Sequence, residues 1–181
     1  MAIYNLLKYK PNKNSELKYI FDTNIWLYLF SDLHEDMERE ISAYSNLLEE
    51  IIDNDYEILL PSFVLSEFAN VLLRTDYNLI KDNLQSEYRF KRDYVGSNDY
   101  LSKTQEITHL IDQILNIDNI VKIDDNFSNI NIGNIKSNFK ILDWNDAYLI
   151  ELAKTKKSII VSHDSDFSKF HSDDFDMIRL F

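Results

Sequence analysis

The sequence predicts a single α/β domain with a central, mainly parallel sheet of four to five strands and helices on both faces. Short apolar runs of strand length alternate along the chain with longer segments whose apolar residues recur at helical spacing. Strands that alternate with helices in this way pair in parallel through right-handed crossovers. The length of 181 residues and the apolar content of 45% suit one domain with a substantial core.

Composition narrows the class of protein. The absence of cysteine excludes disulfides and thiolate metal sites and fits a reducing cytoplasm. With only 2 glycines a Gly-rich phosphate loop is excluded, and no apolar run approaches the length of a membrane span. The net charge of −12 argues against broad electrostatic capture of nucleic acid, but an acidic site that holds cations is compatible with such a substrate. We therefore expect a cytoplasmic protein with no membrane partner.

The start of the chain is expected to lie outside the domain, as an N-terminal extension over residues 1–17 that precedes a domain over 18–181. Its lysines leave open a basic arm that contacts RNA, but a flexible extension is the preferred interpretation. Residues 19–21 form the first short apolar run and predict a buried strand. Asp22 follows at the carboxyl end of that strand, where open α/β sheets bind their ligands.

The next predicted elements are a surface helix, a strand and a second helix, over residues 35–52, 56–60 and 63–74. Ser62 is a favourable N-cap for the second helix. Glu67 lies at the edge of the apolar stripe of that helix, so its carboxylate needs a cation or hydrogen-bond donors. Two interpretations stay open: Glu67 belongs to a functional site, or it points outward or meets Arg74.

A helical hairpin is predicted over about 77–116, with a break near Gly96. It contains a basic, aromatic cluster in an otherwise acidic chain, whose cations are Arg89, Lys91 and Arg92. Cations meet phosphates and aromatic rings stack on unpaired bases, so these are candidate RNA-binding residues, with a solvated helix face as the alternative. A short strand is predicted over 120–123, and residues 124–140 carry no readable pattern.

A helix is predicted to begin just after Asp143 and to run to about residue 155. Asp143 suits the N-cap, whereas Asp146 shares a face with apolar residues three, four and seven positions later. A capping signal explains Asp143 better than Asp146, because a cap need not share the apolar stripe. Asp146 is therefore a candidate for the functional site.

The last strands are predicted over 158–162 and 175–180. The first of them delivers Asp164 and Asp166 at its carboxyl end. Asp-x-Asp after a strand is a frequent way to hold a hard cation, although the same residues also make turns. In a parallel sheet these acids and the earlier ones fall just beyond strand ends, or in the helices that leave them. The sequence thus predicts that one acidic residue per segment converges on a single sheet edge: Asp22, Glu67, Asp146 and Asp164.

These segments resemble those of PIN-domain nucleases, of the kind common as toxins in bacterial and archaeal toxin–antitoxin pairs. The matching segments occur in the family's order and span most of the chain. They are Ile20-Phe21-Asp22-Thr23-Asn24, Pro61-Ser62 through Glu67, Asp146-Ala147-Tyr148-Leu149-Ile150, and Val161-Ser162-His163-Asp164-Ser165-Asp166-Phe167.

The resemblance implies a metal-dependent endoribonuclease whose catalytic, metal-binding quartet is Asp22, Glu67, Asp146 and Asp164. Asp166 matches a further acidic position that would bind metal through water. Thr23 and Asn24 match the polar pair that would orient the first carboxylate. Asp143 has no counterpart in the family pattern, and we interpret it as a helix cap or as a residue that supports the ligands from behind.

Carboxylate and water ligands suit Mg²⁺ or Mn²⁺, and the lack of cysteine argues against a dedicated zinc site. The expected partners are an RNA substrate, an antitoxin protein and a second copy of the chain. Two alternatives stay open: a PIN-like nuclease in RNA processing or phage defence, and a catalytically silent PIN-like binding module. An intact acidic set counts against the silent module, because nothing in such a module would offset the repulsion among four carboxylates.

Overall fold

The computed structural model describes residues 2–11, 16–84, 87–169 and 175–181. A six-stranded sheet runs through these ranges in the order β1-β6-β5-β2-β3-β4, and every neighbouring pair is parallel. The α/β fold and parallel sheet predicted from the sequence are confirmed, with six strands in place of four to five. The strands are Ala2–Asn5 (β1), Lys18–Phe21 (β2), Glu57–Pro61 (β3), Ile120–Ile123 (β4), Ile159–Val161 (β5) and Asp176–Arg179 (β6).

Helices cover both faces of the sheet, as predicted. Side chains on the two faces belong to two separate cores, because successive residues of a strand point to opposite sides. Tyr19 and Phe21 of β2 pack with the first four helices, whereas Ile20 between them packs with the last two. The helices are Thr23–Phe30 (α1), Glu38–Asp53 (α2), Ser62–Asn83 (α3), Asn98–Leu115 (α4), Ile132–Asn138 (α5) and Trp144–Lys156 (α6).

The start of the chain differs from the expected flexible extension. Ala2–Asn5 is a strand that pairs in parallel with β6, and a short 3-10 turn, Leu6–Lys8, follows it. The strand was missed because its residues are only partly buried and show no clear apolar run. The proposed boundary at residue 18 therefore falls between two strands of one sheet. Residues 12–15 of the expected extension lie outside the described residues.

Leu6 and Leu7 offer a matched test of whether the start of the chain packs on the domain. Leu6 is 8% exposed and belongs to the core on the α2 side of the sheet, whereas Leu7 is 63% exposed. We expect Leu6→Ala to lower the unfolding free energy by about 2 kcal/mol and Leu7→Ala by less than about 0.5 kcal/mol. Urea unfolding followed by circular dichroism measures both, and equal values would show that the segment does not pack on the domain in solution.

The hairpin is formed differently from the prediction. The helix expected to end near Arg74 continues to Asn83, so the two arms are α3 and α4 and not two helices within 77–116. Tyr77 explains the extension, because its ring packs against Tyr88 and Phe90, contacts that the local pattern cannot reveal. The break near Gly96 is confirmed, and the Ser97 hydroxyl caps α4.

The N-cap of α3 is a second correction. Pro61 occupies the cap position, with an extended backbone, and Ser62 is the first helical residue. The Ser62 hydroxyl therefore does not cap α3. It donates a hydrogen bond to the Asp125 carboxylate, with Oγ 3.1 Å from Oδ2. Asp125 belongs to the stretch 124–140 that had no readable pattern, which the structure shows as a 3-10 turn followed by α5.

The order of strands creates one switch point. The chain leaves β2 toward β3 and β4 on one side, and later returns to β5 and β6 on the other side. Parallel sheets form a crevice at such a point, outside the carboxyl ends of the two central strands. Asp22 follows β2 and Asp164 lies just beyond β5, so both stand at this crevice. Among the helices of the described ranges, none has the length and apolar content that a membrane span requires.

Candidate active site

Asp22 is held rigidly at the end of β2. Its backbone N–H donates to the Val161 carbonyl oxygen of β5 at 2.9 Å, and its side chain caps α1 by accepting from the Thr23 N–H at 2.7 Å. The other carboxylate oxygen accepts from Asn24 Nδ2 and from Ser162 Oγ, both at 2.7 Å. A carboxylate offers about four lone-pair sites, so these three bonds leave Asp22 with one site for a further ligand.

The electrostatics of Asp22 reflect its burial. The side chain is 8% exposed, and burial raises the pKa of Asp22 to about 7. The hydrogen bonds from Ser162 and Thr23 lower this pKa, while the negative charges of Glu67 and Asp164 raise it further. Burial therefore dominates, and the neighbouring acids add to it.

Glu67 links the helix α3 to two other elements of the site. Its Oε2 accepts from Thr23 Oγ1 at 3.1 Å and from Asn145 Nδ2 at 3.0 Å. The alternative partner considered from the sequence, Arg74, instead places its guanidinium 3.8 Å from the centre of the Phe90 ring. Glu67 thus faces the crevice and not the surface near Arg74.

Asp146 is the least satisfied carboxylate of the group. Its backbone N–H donates to Asp143 Oδ1 at 2.8 Å, which confirms Asp143 as the N-cap of α6. The Asp146 side chain is only 8% exposed, yet it accepts no hydrogen bond from the part of the chain that the structure describes. Burial raises the pKa of Asp146 to about 8, and the charges of Asp22, Asp143, Asp164 and Glu67 raise it as well, in that order. Its oxygens are not among the fully buried polar atoms that lack a partner, so the carboxylate stays open to water or to a cation.

Asp164 completes the group from the β5 side. Its backbone N–H donates to Ser162 Oγ at 3.1 Å, and its Oδ1 accepts from the Asp166 N–H at 2.7 Å. The charge of Asp164 acts on both Asp22 and Asp146, so these acids lie at the same crevice. That the four acids form one metal-binding quartet stays a prediction. Asp166 supports Asp164 through its backbone N–H, and direct or water-mediated metal binding by its side chain stays a prediction.

Two residues that organise the site were not predicted as site residues. Ser162 is fully buried and its hydroxyl joins three groups, because it donates to Asp22 and accepts from Asn24 and Asp164. Its only local signal was a polar residue at the end of an apolar strand. Asn145 holds Glu67 from the start of α6, and its signal was an amide directly before an inward-facing acid.

The predicted orienting role of Asn24 has a structural basis in its three contacts. The amide nitrogen donates to Asp22 and to Ser162, and the amide oxygen accepts from the His163 N–H at 3.2 Å. The His163 ring hydrogen-bonds through Nδ1 with the Tyr44 hydroxyl at 2.9 Å, and burial lowers the pKa of His163. Asn24 therefore ties the ends of β2 and β5 together behind the carboxylates.

The candidate RNA-binding cations are not brought to this site. Arg89 pairs with Glu87 at 2.9 Å and Arg92 with Asp93 at 2.7 Å, while Lys91 is exposed. Their segment packs against Tyr77, ten residues beyond Glu67 along α3, which corresponds to roughly 15 Å of helix. An RNA-binding role for these cations stays a prediction. They would contact a part of the RNA that lies away from the acidic residues.

The acidic group suits a divalent cation in its chemistry but is not preformed for one. Among the described residues, no three acidic or histidine side chains are arranged as a finished metal site. The donors are carboxylate oxygens, which hard divalent cations prefer. Buried carboxylates that raise one another's pKa values are also what a cation would relieve. The residues therefore fit a metal, and side-chain rotation would have to accompany its binding.

Comparisons with known proteins identify the family of this chain. A family model described as the PIN domain matches residues 19–172. A search of curated proteins gave no match. Among solved structures, the chain is similar to a chain in the crystal structure of VapBC2 from Rickettsia felis bound to a DNA fragment from their promoter. The TM-score is 0.55 and the identity 16%, over 90% of this chain and 98% of that one, so this likeness concerns the fold. Because the family model matches most of the chain, the protein belongs to the PIN-domain family, a family of nucleases.

Proposed function

We propose that the protein is an endoribonuclease that hydrolyses RNA phosphodiester bonds with the help of Mg²⁺ or Mn²⁺. Its catalytic, metal-binding residues are Asp22, Glu67, Asp146 and Asp164. The observation that supports this best is Asp146, a residue only 8% exposed whose carboxylate accepts no hydrogen bond in the described part of the chain and stays open to water or a cation. A cation is the partner that its chemistry lacks, and the PIN fold supplies a nuclease context for it.

The protein's own residues have defined tasks in this proposal. Asp22 offers its remaining lone-pair site while Asn24 and Ser162 hold its other oxygen. Thr23 and Asn145 fix Glu67 at the opposite side of the crevice. A bound divalent ion would lower the pKa of a water molecule bound to it to a value near neutral, and would neutralise charge on the scissile phosphate. The carboxylates would hold the ion in place and so orient the phosphodiester. Because the ion's bound water would be the attacking group, no side-chain nucleophile is required.

We further propose that the nuclease is the toxin of a toxin–antitoxin pair and acts in the cytoplasm. The motifs shared with toxin-type PIN domains and the similarity in fold to VapBC2 support this. An antitoxin protein and a second copy of the chain would then be its partners. Growth arrest on induction, relieved by co-expression of a short neighbouring gene, would support the toxin. Without such a gene, a role in RNA processing or phage defence is favoured.

The direct test is cleavage of a mixed RNA pool by purified protein with Mg²⁺ or Mn²⁺, beside EDTA and beside a single-stranded DNA pool. An Asp22→Asn preparation made in parallel detects co-purifying nucleases. We expect RNA to be cut only with metal and only by the wild type. A protein that binds Mn²⁺ in calorimetry but cuts neither pool would favour the silent binding module.

Ser162 gives a further prediction about metal affinity. Ser162→Ala removes the hydroxyl that joins Asp22, Asn24 and Asp164, and residues that orient metal ligands typically affect affinity or activity by about 10–100-fold. We expect a loss of that size in Mn²⁺ affinity by calorimetry and in cleavage rate.

Ser158→Ala is the matched control for that variant. Ser158 is also buried, but it precedes β5 at the opposite end of the strand, with its hydroxyl 3.5 Å from the Ala153 carbonyl oxygen. We expect it to leave Mn²⁺ affinity within about twofold. Equal losses in the two variants would indicate general damage to β5 and contradict the assignment of Ser162.

A further inference from the structure

An aromatic cavity opens beside the acidic group. Its volume is about 220 Å³, which is smaller than the ~300–1,000 Å³ typical of drug-sized ligands. Two of its aromatic side chains are unusually open to solvent, Phe127 at 66% and Trp144 at 40%. Four aromatic rings, one amide and one carboxylate form its lining: Phe63, Phe127, Trp144, Tyr148, Asn145 and Asp125.

The cavity adjoins the proposed active site through Asn145. Asn145 lines it and at the same time donates to Glu67 at 3.0 Å. Phe63 lies one helical turn before Glu67 on α3, whereas Trp144 and Tyr148 share one face of α6 and Asp146 lies on another face of that helix. The same two helix starts therefore present the carboxylates and the aromatic walls. An RNA strand whose phosphodiester lies at the carboxylates can therefore reach this cavity with a neighbouring base.

The walls suit one planar ring system. Phe63 and Tyr148 meet edge to face, with ring centres 5.4 Å apart, so they form a corner and not a closed stack. Trp144 and Phe127 keep exposed surface around that corner. Unpaired bases of single-stranded RNA stack on such rings, at about 1–3 kcal/mol per base. A base is uncharged, so the net charge of −12 repels the phosphates of a strand but not the base itself.

Asp125 supplies the selective group. Its carboxylate lies 3.1–3.2 Å from the Ser62 hydroxyl, and its backbone carbonyl accepts from the Tyr148 hydroxyl at 2.7 Å. The Ser62 proton satisfies one of the lone-pair sites, so the carboxylate keeps acceptors for a ligand. An ionised carboxylate only accepts, and guanine is the RNA base with two adjacent donors, N1–H and N2–H, on one edge.

We propose that this cavity binds an unpaired guanine of the RNA substrate, stacked on the aromatic walls and held at its Watson–Crick edge by Asp125. The proposal rests on the endoribonuclease function in one respect, that the guanine belongs to a strand being cut. Base binding itself needs neither metal nor catalysis. It would give the nuclease a means of choosing where to cut.

Nucleoside titration in EDTA tests the cavity apart from catalysis. Trp26 is fully buried and Trp144 is exposed, so quenching of tryptophan fluorescence reports on the cavity. We expect guanosine to bind roughly tenfold more tightly than adenosine, cytidine or uridine, because a bidentate contact discriminates by about that factor or more. Asp125→Asn should abolish this preference, since an amide presents a donor on one arm. Asp124→Asn, the neighbouring exposed acid outside the lining, should keep it.

Mapping the cuts in a random RNA pool adds the link to function. We expect guanine at one fixed position relative to the cut with the wild type and with Asp124→Asn, and not with Asp125→Asn. If guanosine binds but RNA is never cut, the endoribonuclease proposal fails while the guanine site stands. Equal affinity for all four nucleosides, no quenching by any of them, or equal effects of the two variants would overturn the guanine site. The cavity would then suit an apolar side chain of a protein partner.

Discussion

Asp146→Asn is expected to lower metal-dependent RNA cleavage by about a thousandfold while the fold stays intact. Metal ions contribute several kcal/mol of charge stabilisation in such reactions, and about 4 kcal/mol corresponds to a thousandfold. Asp146 carries the carboxylate without hydrogen-bond donors in the described ranges, so the variant removes a ligand without breaking a structural bond. The Asp143 cap is retained because it contacts the backbone N–H at position 146 and not the side chain.

Asp99→Asn is the matched control for this variant. Asp99 also lies in the first turn of a helix, α4, and is exposed far from the crevice in sequence. Asp99→Asn removes one negative charge near a helix N-terminus, which costs about 0.3–1 kcal/mol of stability at most surface positions. Asp146→Asn removes a carboxyl group whose charged form the fold disfavours. We expect Asp99→Asn to keep cleavage within about twofold. Cleavage by Asp146→Asn at more than a tenth of the wild-type rate would contradict the assignment of Asp146 as a ligand.

The positions of the four acidic residues in the fold could be predicted because each carries a local signal. Asp22 and Asp164 follow apolar strands, and the carboxyl ends of parallel strands meet at one edge. Glu67 and Asp146 were indicated by their position relative to apolar stripes, which identifies the side of a helix that faces the sheet. This convergence could be predicted without knowing the strand order, because all strands of a parallel sheet have their carboxyl ends at the same edge.

The residues that orient the quartet could not be found in this way. Ser162 acts through bonds to Asp22 and Asn24, some 140 residues earlier in the chain, and such contacts leave no periodic pattern. Asn145 likewise depends on how α6 meets α3. The aromatic cavity is a further example, because Trp144 and Phe127 look like core residues in the sequence. Their exposure is visible only once the segment between β4 and α6 is folded.

The other wrong predictions concern a strand at the edge of the sheet and the end of a helix. β1 is an outer strand with partly exposed residues, so its alternation is too weak to separate it from a loop. The end of α3 is set by Tyr77 and the rings packed on it, and not by a stop signal near Arg74. Tertiary packing overrides local preference in both places. Neither error moves the crevice, because the central strands β2 and β5 were placed correctly.

The metal-free protein is expected to lose stability as the pH rises from 5 to 8. The pKa values of Asp22 and Asp146, about 7 and about 8, lie above the ordinary value of 3.8. Both carboxyl groups therefore bind protons more tightly in the folded protein than in the unfolded chain. Their contribution to stability is fully present below about pH 4 and is lost as the pH rises through about 7–8. Between pH 5 and 8 this loss covers about two pH units for Asp22 and about three for Asp146, so we expect the unfolding free energy to fall by up to about 7 kcal/mol.

Asp146→Asn and Mn²⁺ should each reverse this loss, for the same electrostatic reason. The variant removes one buried charge, so in EDTA its unfolding free energy should change less between pH 5 and 8. The lowered pKa of His163 acts in the opposite direction but is common to both proteins, so their difference isolates Asp146. Mn²⁺ at a hundred times its dissociation constant should stabilise the wild type by about 2.7 kcal/mol at pH 8, and much less at pH 5, where protons compete. Urea unfolding at both pH values measures each quantity. Equal stability of metal-free wild type at pH 5 and 8, or equal stabilisation of the variant by Mn²⁺, would mean that these carboxylates do not share a cation.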